Sequence, residues 1–400
     1  MSQPPGFEQR GPNGEELVCH LKKALYGLKQ APRAWFFTLK NFLLDKLGFS
    51  ASKADSSLFM KNSTDAKLLL MVYVDDIVIT GTKEDVVSTV VQQINAEFLL
   101  KDLGNLEFFL GMEIEKTSTG LSLSQRKYVV DLLEKANMTE CNSTPTPMVV
   151  TPKLLVDEGS TFADIHLYRS IVGGLQYICL TRPDIAFTVN KVSQFMNCPR
   201  EPHWRAVKRI LRYLKGTISH GLCYKAAGGF QLICYSDADW AASIEDRRST
   251  TGYCVYLGHN PIAWCSKKQS VVSRSTSEAE YRSLANAVSE LMWLEHLLHE
   301  IGVVLVSTPT VWCDNMSTVS MAANPTHHAR VKHVEIDIHF VRERVLTHKL
   351  IVNFVPSVEQ TADILTKPLP PAMFAQLRSK LGVVPCFKDE AQEDERTREI

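Results

Sequence analysis

Acidic residues at the ends of apolar runs are where this chain could do chemistry. In QLICYSDADW, residues 231 to 240, the apolar run Leu232, Ile233, Cys234 and Tyr235 stops on Asp237 and Asp239. A strand that carries carboxylates to the end of a buried sheet is unfavourable unless solvent, a base or a cation satisfies them. Glu280, Asp314 and Asp363 also stand where an apolar element begins or ends. Four converging carboxylates can hold a pair of divalent cations, an arrangement suited to phosphodiester chemistry. Asp237 and Asp239 share the parity of Tyr235 in an extended strand, so spacing leaves either as the fourth acid. A second acidic pair, Asp75 and Asp76, interrupts KLLLMVYVDDIVIT at a tight hairpin. An ordinary solvated turn would use aspartate there as well.

The elements that must position the first set follow from periodicity. Strands are predicted at 231–235, 252–257 and 262–267, a long helix at 276–300, then strands at 309–313 and 350–355 and a helix from Gln360 onward. Three strands before the first long helix suggest a meander, and the later alternation suggests crossovers into a mixed sheet. Ser275 and Glu278 form an S-x-x-E capping box. Glu280, Leu284, Ala287, Leu291, Leu294 and Leu298 make one helical stripe facing the sheet. Its first member is a glutamate, which needs a cation or a basic partner, whereas Glu278 is explained by the cap. Asp314 follows PTVWC at a strand end, and Asp363 is predicted in the first turn of the last helix, where the helix dipole tolerates it.

Upstream, residues 21–47 read as two helices broken at Gln30-Ala31-Pro32, because proline interrupts the hydrogen-bond ladder. Thr82 and Asp85 resemble a capping pair, and 106–114 with 121–124 read as a hairpin that completes the first segment. A helix over 125–137 precedes a proline-punctuated linker at 141–151. In EPHWRAVKRILRYLKGT, Arg205, Lys208, Arg209 and Arg212 share a face opposite Val207, Ile210, Leu211 and Leu214. Residues 200–217 hold six Lys/Arg against one Asp/Glu, a bias that suggests phosphate contacts rather than a mixed-sign solvated surface.

Composition narrows the class. With 45% hydrophobic residues the chain is globular, and 44 Lys plus Arg balance 44 Asp plus Glu, so any nucleic-acid surface must be a local patch. Ten cysteines without a C-x-x-C pair argue against a disulfide framework and a structural zinc site. His327, His328, His333 and His339 invite a zinc reading, but without paired cysteines they fit a polar surface with Arg330 and Lys332 better. No apolar run approaches the roughly 20 residues that span a bilayer, and no signal peptide opens the chain. The expectation is an intracellular protein, cytoplasmic or nuclear, that is neither secreted nor bound to a membrane. Residues 385–400 are polar, highly charged and expected to be disordered.

Two sets of motifs carry a resemblance. LKKALYGLKQAPRAWF with YVDD resembles the reverse-transcriptase palm of copia-type LTR-retrotransposon Pol polyproteins, and YRSIVGGLQY, TRPDIAF and HWRAVKRILRYLKGT resemble the connecting region of the same family. YSDADWA, STSEAEYRSLA, VWCDN and EQTADILTKPL resemble its ribonuclease H domain. The resemblance implies an α/β (α+β) protein: a partial palm at 1–120, a helical connection at 121–229 and a ribonuclease H-like mixed-sheet domain at 230–384. It assigns Asp75 and Asp76 to magnesium in the palm, puts Gln30 near nucleotide and template, and selects Asp237 with Glu280, Asp314 and Asp363 as the ribonuclease H acids. These four would share two Mg²⁺, with Mn²⁺ as a substitute, and cleave the RNA strand of an RNA–DNA hybrid. Recognition of the 2′-hydroxyls falls to residues near Ser236, Asn315 and Ser317.

A further palm aspartate of the family lies upstream of the residues present. The chain is therefore expected to begin in mid-domain and not to polymerise unless an upstream polyprotein segment completes the palm. The loop before Asp363 also lacks the histidine that many ribonucleases H carry. The competing readings are an inactive transposon remnant that at most binds nucleic acid, and a DDE-type integrase, which the helical position of Glu280 disfavours.

Overall fold

The computed structural model describes all residues except 23, 24, 26, 65, 227, 228, 324–333 and 387–400. It divides into two compact units, Met1–Gly104 and Asn105–Ile400. His327, His328 and His333, and all of the expected tail beyond Cys386, lie outside the described residues. No helix among the described residues is long and apolar enough to cross a membrane.

In the first unit, helix α1 (Ala31–Asp45) and helix α2 (Glu84–Phe98) accompany an antiparallel sheet of β1 (Ser50–Ala51), β2 (Leu58–Asn62), β3 (Lys67–Tyr73) and β4 (Asp76–Gly81) in that order. Leu39 and Leu43 from α1, Phe59, Leu68 and Leu70 from the sheet, and Val90 and Ile94 from α2 form its core. Only the second of the two expected helices is present among the described residues: positions 25 and 27–30 are turn or coil. Gly27 takes φ +90°, outside helical space, and Pro32 lies in the first turn of α1, where its missing N–H costs nothing. The expected Thr82 cap is also replaced, since the Thr82 hydroxyl accepts the Lys67 N–H at 3.1 Å and α2 starts after Lys83.

In the second unit, β5 (Phe108–Phe109), β6 (Met112–Thr117) and β7 (Gly120–Ser124) lead into α3 (Arg126–Lys135), α4 (Ile165–Ile178), α5 (Ala186–Ser193) and α6 (Glu201–Lys215). β8 (His220–Lys225) then pairs antiparallel with β7. The 106–124 stretch, read from sequence as the close of the first segment, thus takes its next hydrogen-bonded neighbour from beyond the helices. Tyr168, Ile171, Val207, Ile210 and Leu211 are fully buried in the helical core. Each such side chain contributes about 1.5–3 kcal/mol of transfer free energy.

The second large sheet has the order β11–β10–β9–β12–β13, built from β9 (Leu232–Asp239), β10 (Thr250–Leu257), β11 (Asn260–Lys268), β12 (Thr310–Cys313) and β13 (Ile351–Phe354). The first three strands are antiparallel and the last two run parallel to β9. Helix α7 (Thr276–Glu300) packs its predicted stripe on this sheet: Leu284, Ala287, Leu291, Leu294 and Leu298 are all buried. Helices α8 (Met316–Ala323) and α9 (Glu335–Leu346) lie between the parallel strands in sequence, and α10 (Pro371–Lys380) and β14 (Val383–Pro385) close the described chain. This strand order, with one long helix after the antiparallel meander, is the mixed sheet expected for the last domain.

The expected helix from Gln360 onward is corrected. Residues Thr361–Leu365 form a 3-10 turn, and the α-helix begins only at Pro371. Pro368 and Pro370 account for the delay, because neither can donate to a helical ladder. Ile364 and Leu365 anchor the turn in the same core as α4 and α6.

Candidate metal centre

Strand register brings the first two acids together. Asp237 is the sixth residue of β9, and the parallel pairing of Cys313 with Ser236 places Asp314, the next residue after β12, beside it. Glu280 enters from the first turns of α7, where the Ser283 hydroxyl donates to the Asp237 carbonyl at 2.8 Å and docks the helix on the strand. Asp363 arrives on the 3-10 turn. The Gln360 amide donates to the Ser236 carbonyl at 3.0 Å, while its oxygen accepts from Ala362 N–H at 3.2 Å, fastening that turn to β9.

Carboxylate oxygens of Asp237, Asp314 and Asp363 lie within 4.8 Å of one another, and so do ligand atoms of Glu280, Asp314 and Cys313. The four sequence-predicted acids therefore meet, with Asp314 common to both groups. Asp237, Glu280 and Asp363 are 2%, 4% and 3% exposed, and Asp314 is half-buried. Such crowding disfavours full ionisation. Burial, together with Asp237 and Asp314, pushes the Glu280 carboxyl up to about 10. Burial and Asp237 push Asp363 up to about 7, and the same causes raise Asp314. Cys313 is also raised by burial and by Glu280, so it stays a neutral thiol at neutral pH.

Several neighbours hold these acids. The Ser357 hydroxyl donates to Asp314 Oδ2 at 2.9 Å, and the Thr366 hydroxyl donates to Asp237 Oδ2. Lys367 Nζ lies 2.8 Å from Asp363 Oδ1 and 3.8 Å from Asp237 Oδ2. Gly252, opposite Asp237 across the β9–β10 pairing, leaves room for the turn that carries Asp363. A Cβ there would stand 2.5 Å from Thr366 Cγ2 and 3.0 Å from Leu365 Cβ. Gly252→Ala is therefore expected to lower unfolding free energy by about 1–3 kcal/mol through overpacking, measurable by denaturant titration.

Asp239 extends from the same strand but joins neither acid group among the described residues. It lines a cavity of about 720 Å³ together with Lys153, Lys191, Arg205, Lys208 and Lys268. Arg209 and Arg212 line it too, but each also binds the proline-punctuated linker: Arg209 donates to the Thr146 hydroxyl at 2.8 Å and Arg212 to the Asn142 carbonyl at 2.7 Å. Half of the basic face expected to meet phosphate thus has a structural duty. Ser236, expected near a 2′-hydroxyl, is fully buried and donates to the Ser283 hydroxyl at 3.1 Å. Asn315 accepts the Thr318 N–H at 3.0 Å and caps α8, and Ser317 is exposed.

The Ser275 half of the expected capping box forms, its hydroxyl accepting the Glu278 N–H at 3.2 Å, but the Glu278 carboxylate accepts from the Arg274 N–H at 2.8 Å instead of from Ser275 and pairs with Arg282 at 3.0 Å. His339 is exposed beside Glu335 on α9. In the first unit, Asp75 and Asp76 are exposed at the β3–β4 hairpin and belong to neither acid group among the described residues. The Trp35 indole donates to the Val74 carbonyl at 3.1 Å, tying α1 to that hairpin, and Gln30 is exposed just before α1.

Known proteins match this chain along most of its length. The reverse transcriptase (RNA-dependent DNA polymerase) family matches residues 1–150. The retrovirus-related Pol polyprotein from transposon RE1 of Arabidopsis thaliana is 48% identical over 384 residues, 96% of this chain and 26% of its own length. A transposon Ty5-1 protein of Saccharomyces cerevisiae is 33% identical over 295 residues, 73% of this chain and 94% of its own. The chain belongs to the copia-type retrotransposon Pol family.

The Pol polyprotein from transposon TNT 1-94 of Nicotiana tabacum is 38% identical over 96% of this chain and 29% of its own length, so this Pol chain spans about a quarter of the polyproteins it matches. Among solved structures, a ribonuclease H domain from Mycobacterium tuberculosis aligns with 38% of the chain and 98% of its own, at 15% identity and TM-score 0.26. The foamy viral protease-reverse transcriptase in complex with an RNA/DNA hybrid aligns with 92% of the chain and 40% of its own, at 13% identity and TM-score 0.46.

Proposed function

We propose that this Pol chain hydrolyses the RNA strand of RNA–DNA hybrids at the cluster of Asp237, Glu280, Asp314 and Asp363. The observation that carries the reading is the convergence of four carboxylates from four separate places in the chain, three of them buried and Asp314 half-buried, a costly arrangement that a divalent cation relieves. The donors fit magnesium, with manganese as a substitute: they are hard carboxylate oxygens, and the adjacent Cys313 is held as a neutral thiol. Bound there, such ions supply charge neutralisation and Lewis-acid activation of a phosphodiester.

The chain's own residues do the rest. Asp314 is shared between the two acid groups, so it would contribute to both halves of the site. Ser357 and Thr366 fix the carboxylates of Asp314 and Asp237, and Gly252 lets the Asp363 turn close on the strand. Asp75 and Asp76 remain candidate magnesium-holding acids of a reverse-transcriptase palm, with Gln30 near the template. Because they join no third acid among the described residues, ribonuclease activity is the one assigned.

For substrate binding, Arg205 and Lys208, which line the cavity, are the candidates, since Lys268 there is already paired with Asp246 at 2.9 Å. Replacing Arg205 and Lys208 together by alanine is expected to weaken hybrid binding about tenfold at moderate salt and to reduce the slope of log K against log salt by about 2. Titrations of the full chain at several salt concentrations would check this. The test of the function itself is incubation of the purified chain and Mg²⁺ with a labelled hybrid beside single-stranded and double-stranded RNA. Cleavage confined to the hybrid is the expected outcome, and an intact hybrid would refute the proposal.

A further inference from the structure

We propose that Lys367 is a built-in counter-cation of the acid cluster, and that a divalent ion binds by displacing its ammonium group. The inference rests on the reading of the cluster as a cation site. It starts from where the ammonium lies: 2.8 Å from Asp363 Oδ1 and 3.8 Å from Asp237 Oδ2, between carboxylates delivered by a turn and a strand. A cation bridging those two acids would need the same place.

The local backbone makes the position repeatable. Lys367 N–H donates to the Asp363 carbonyl at 3.1 Å, and the preceding Thr366 is fully buried with its hydroxyl on Asp237. Pro368 follows, so the backbone on both sides of Lys367 is constrained. The side chain is 35% exposed, which leaves its flexible stem a route to solvent. A fixed root with a mobile charged end is what an exchange requires. The lysine neutralises part of the cluster when no ion is bound and withdraws without moving the acids.

Lys367→Met removes the charge and keeps the length of the stem, while Lys367→Arg keeps a cation. Calcium binding to the full chain, followed by calorimetry, reads the exchange without any turnover. Lys367→Met is expected to bind Ca²⁺ about tenfold more tightly than the wild type, and its ion-free melting temperature should fall. Lys367→Arg should stay near the wild type in both. A lysine that merely supports the fold would give weaker binding when lost, so equal or weaker Ca²⁺ affinity in Lys367→Met overturns the exchange. Should Lys367→Met fail to fold, the wild-type Lys367 side-chain amine resonance, assigned by its loss in Lys367→Arg, must shift on Ca²⁺ addition, and an unmoved resonance overturns it equally. Absence of Ca²⁺ binding in every form, wild type included, would instead remove the cation-site reading on which the proposal stands.

Discussion

Asp314→Asn should lower hydrolysis of the RNA strand of a hybrid by about a thousandfold or more while leaving the fold intact. Asp314 is the acid shared by both groups, with one neighbour set of Glu280 and Cys313 and another of Asp237 and Asp363. Asparagine is nearly isosteric and can still accept from Ser357, whose hydroxyl now lies 2.9 Å from Oδ2. The substitution therefore removes charge with little change of shape. Loss of one carboxylate from a site that acts through cation charge removes several kcal/mol of transition-state stabilisation, and each ~1.4 kcal/mol is a factor of ten in rate. A hybrid-cleavage assay with both proteins at matched concentration decides the matter, and equal rates would defeat the role assigned to Asp314.

Glu280→Gln should stabilise the ion-free protein at alkaline pH, by about 2–4 kcal/mol near pH 8. In the folded chain burial and the charges of Asp237 and Asp314 hold Glu280 up to about 10, against an ordinary value of 4.5. Between those values the folded protein keeps a proton that the unfolded chain has released. Unfolding free energy must therefore fall as pH rises through this window, from no penalty below ~4.5 to the full penalty near ~10. Asp363, pushed up to about 7, adds to the same fall over its lower part. Glutamine carries no charge, so its denaturation curves in chelator should lose most of the pH dependence and converge with the wild type near pH 4.5. Greater destabilisation of Glu280→Gln at pH 8.5 than at pH 5 would contradict the buried like-charge account. Saturating Mg²⁺ should restore the wild type at high pH, because ions and protons compete for the same oxygens.

Much of this site is legible in the amino-acid sequence. The stripe from Glu280 to Leu298 and the cap at Ser275 predict α7 at the residues it occupies, because a long amphipathic helix with a capping box leaves little freedom at its start. Separating Glu280 from Glu278 followed from the same pattern. Parity could not separate Asp237 from Asp239, and the structure shows why: both are in β9, and only the register with β12 brings one of them to Asp314. Long-range pairing of that kind has no local signature.

Other features were missed for related reasons. Asp363 was expected in an α-helix, yet two prolines downstream and the side chain of Gln360 settle the chain into a tighter turn. Lys367 and Thr366 stood in plain view within EQTADILTKPL, but only the turn points both toward Asp237. An i, i+4 spacing from Asp363 to Lys367 was the available signal. Gly252 reads from sequence as an ordinary strand glycine, and its purpose becomes visible only when Leu365 and Thr366 lie over it. Helical phase puts Arg209 and Arg212 on one face with Arg205 and Lys208, but phase says which face a residue takes and not what packs on that face.

The central claim, that Asp237, Glu280, Asp314 and Asp363 form one cation-binding centre, is tested most directly by crystals of the full chain soaked in Mn²⁺ near pH 8. Anomalous diffraction should place manganese among these four carboxylates, with Lys367 Nζ withdrawn toward solvent. A map with no manganese among them, at a concentration where Mn²⁺ occupies other sites, would contradict it.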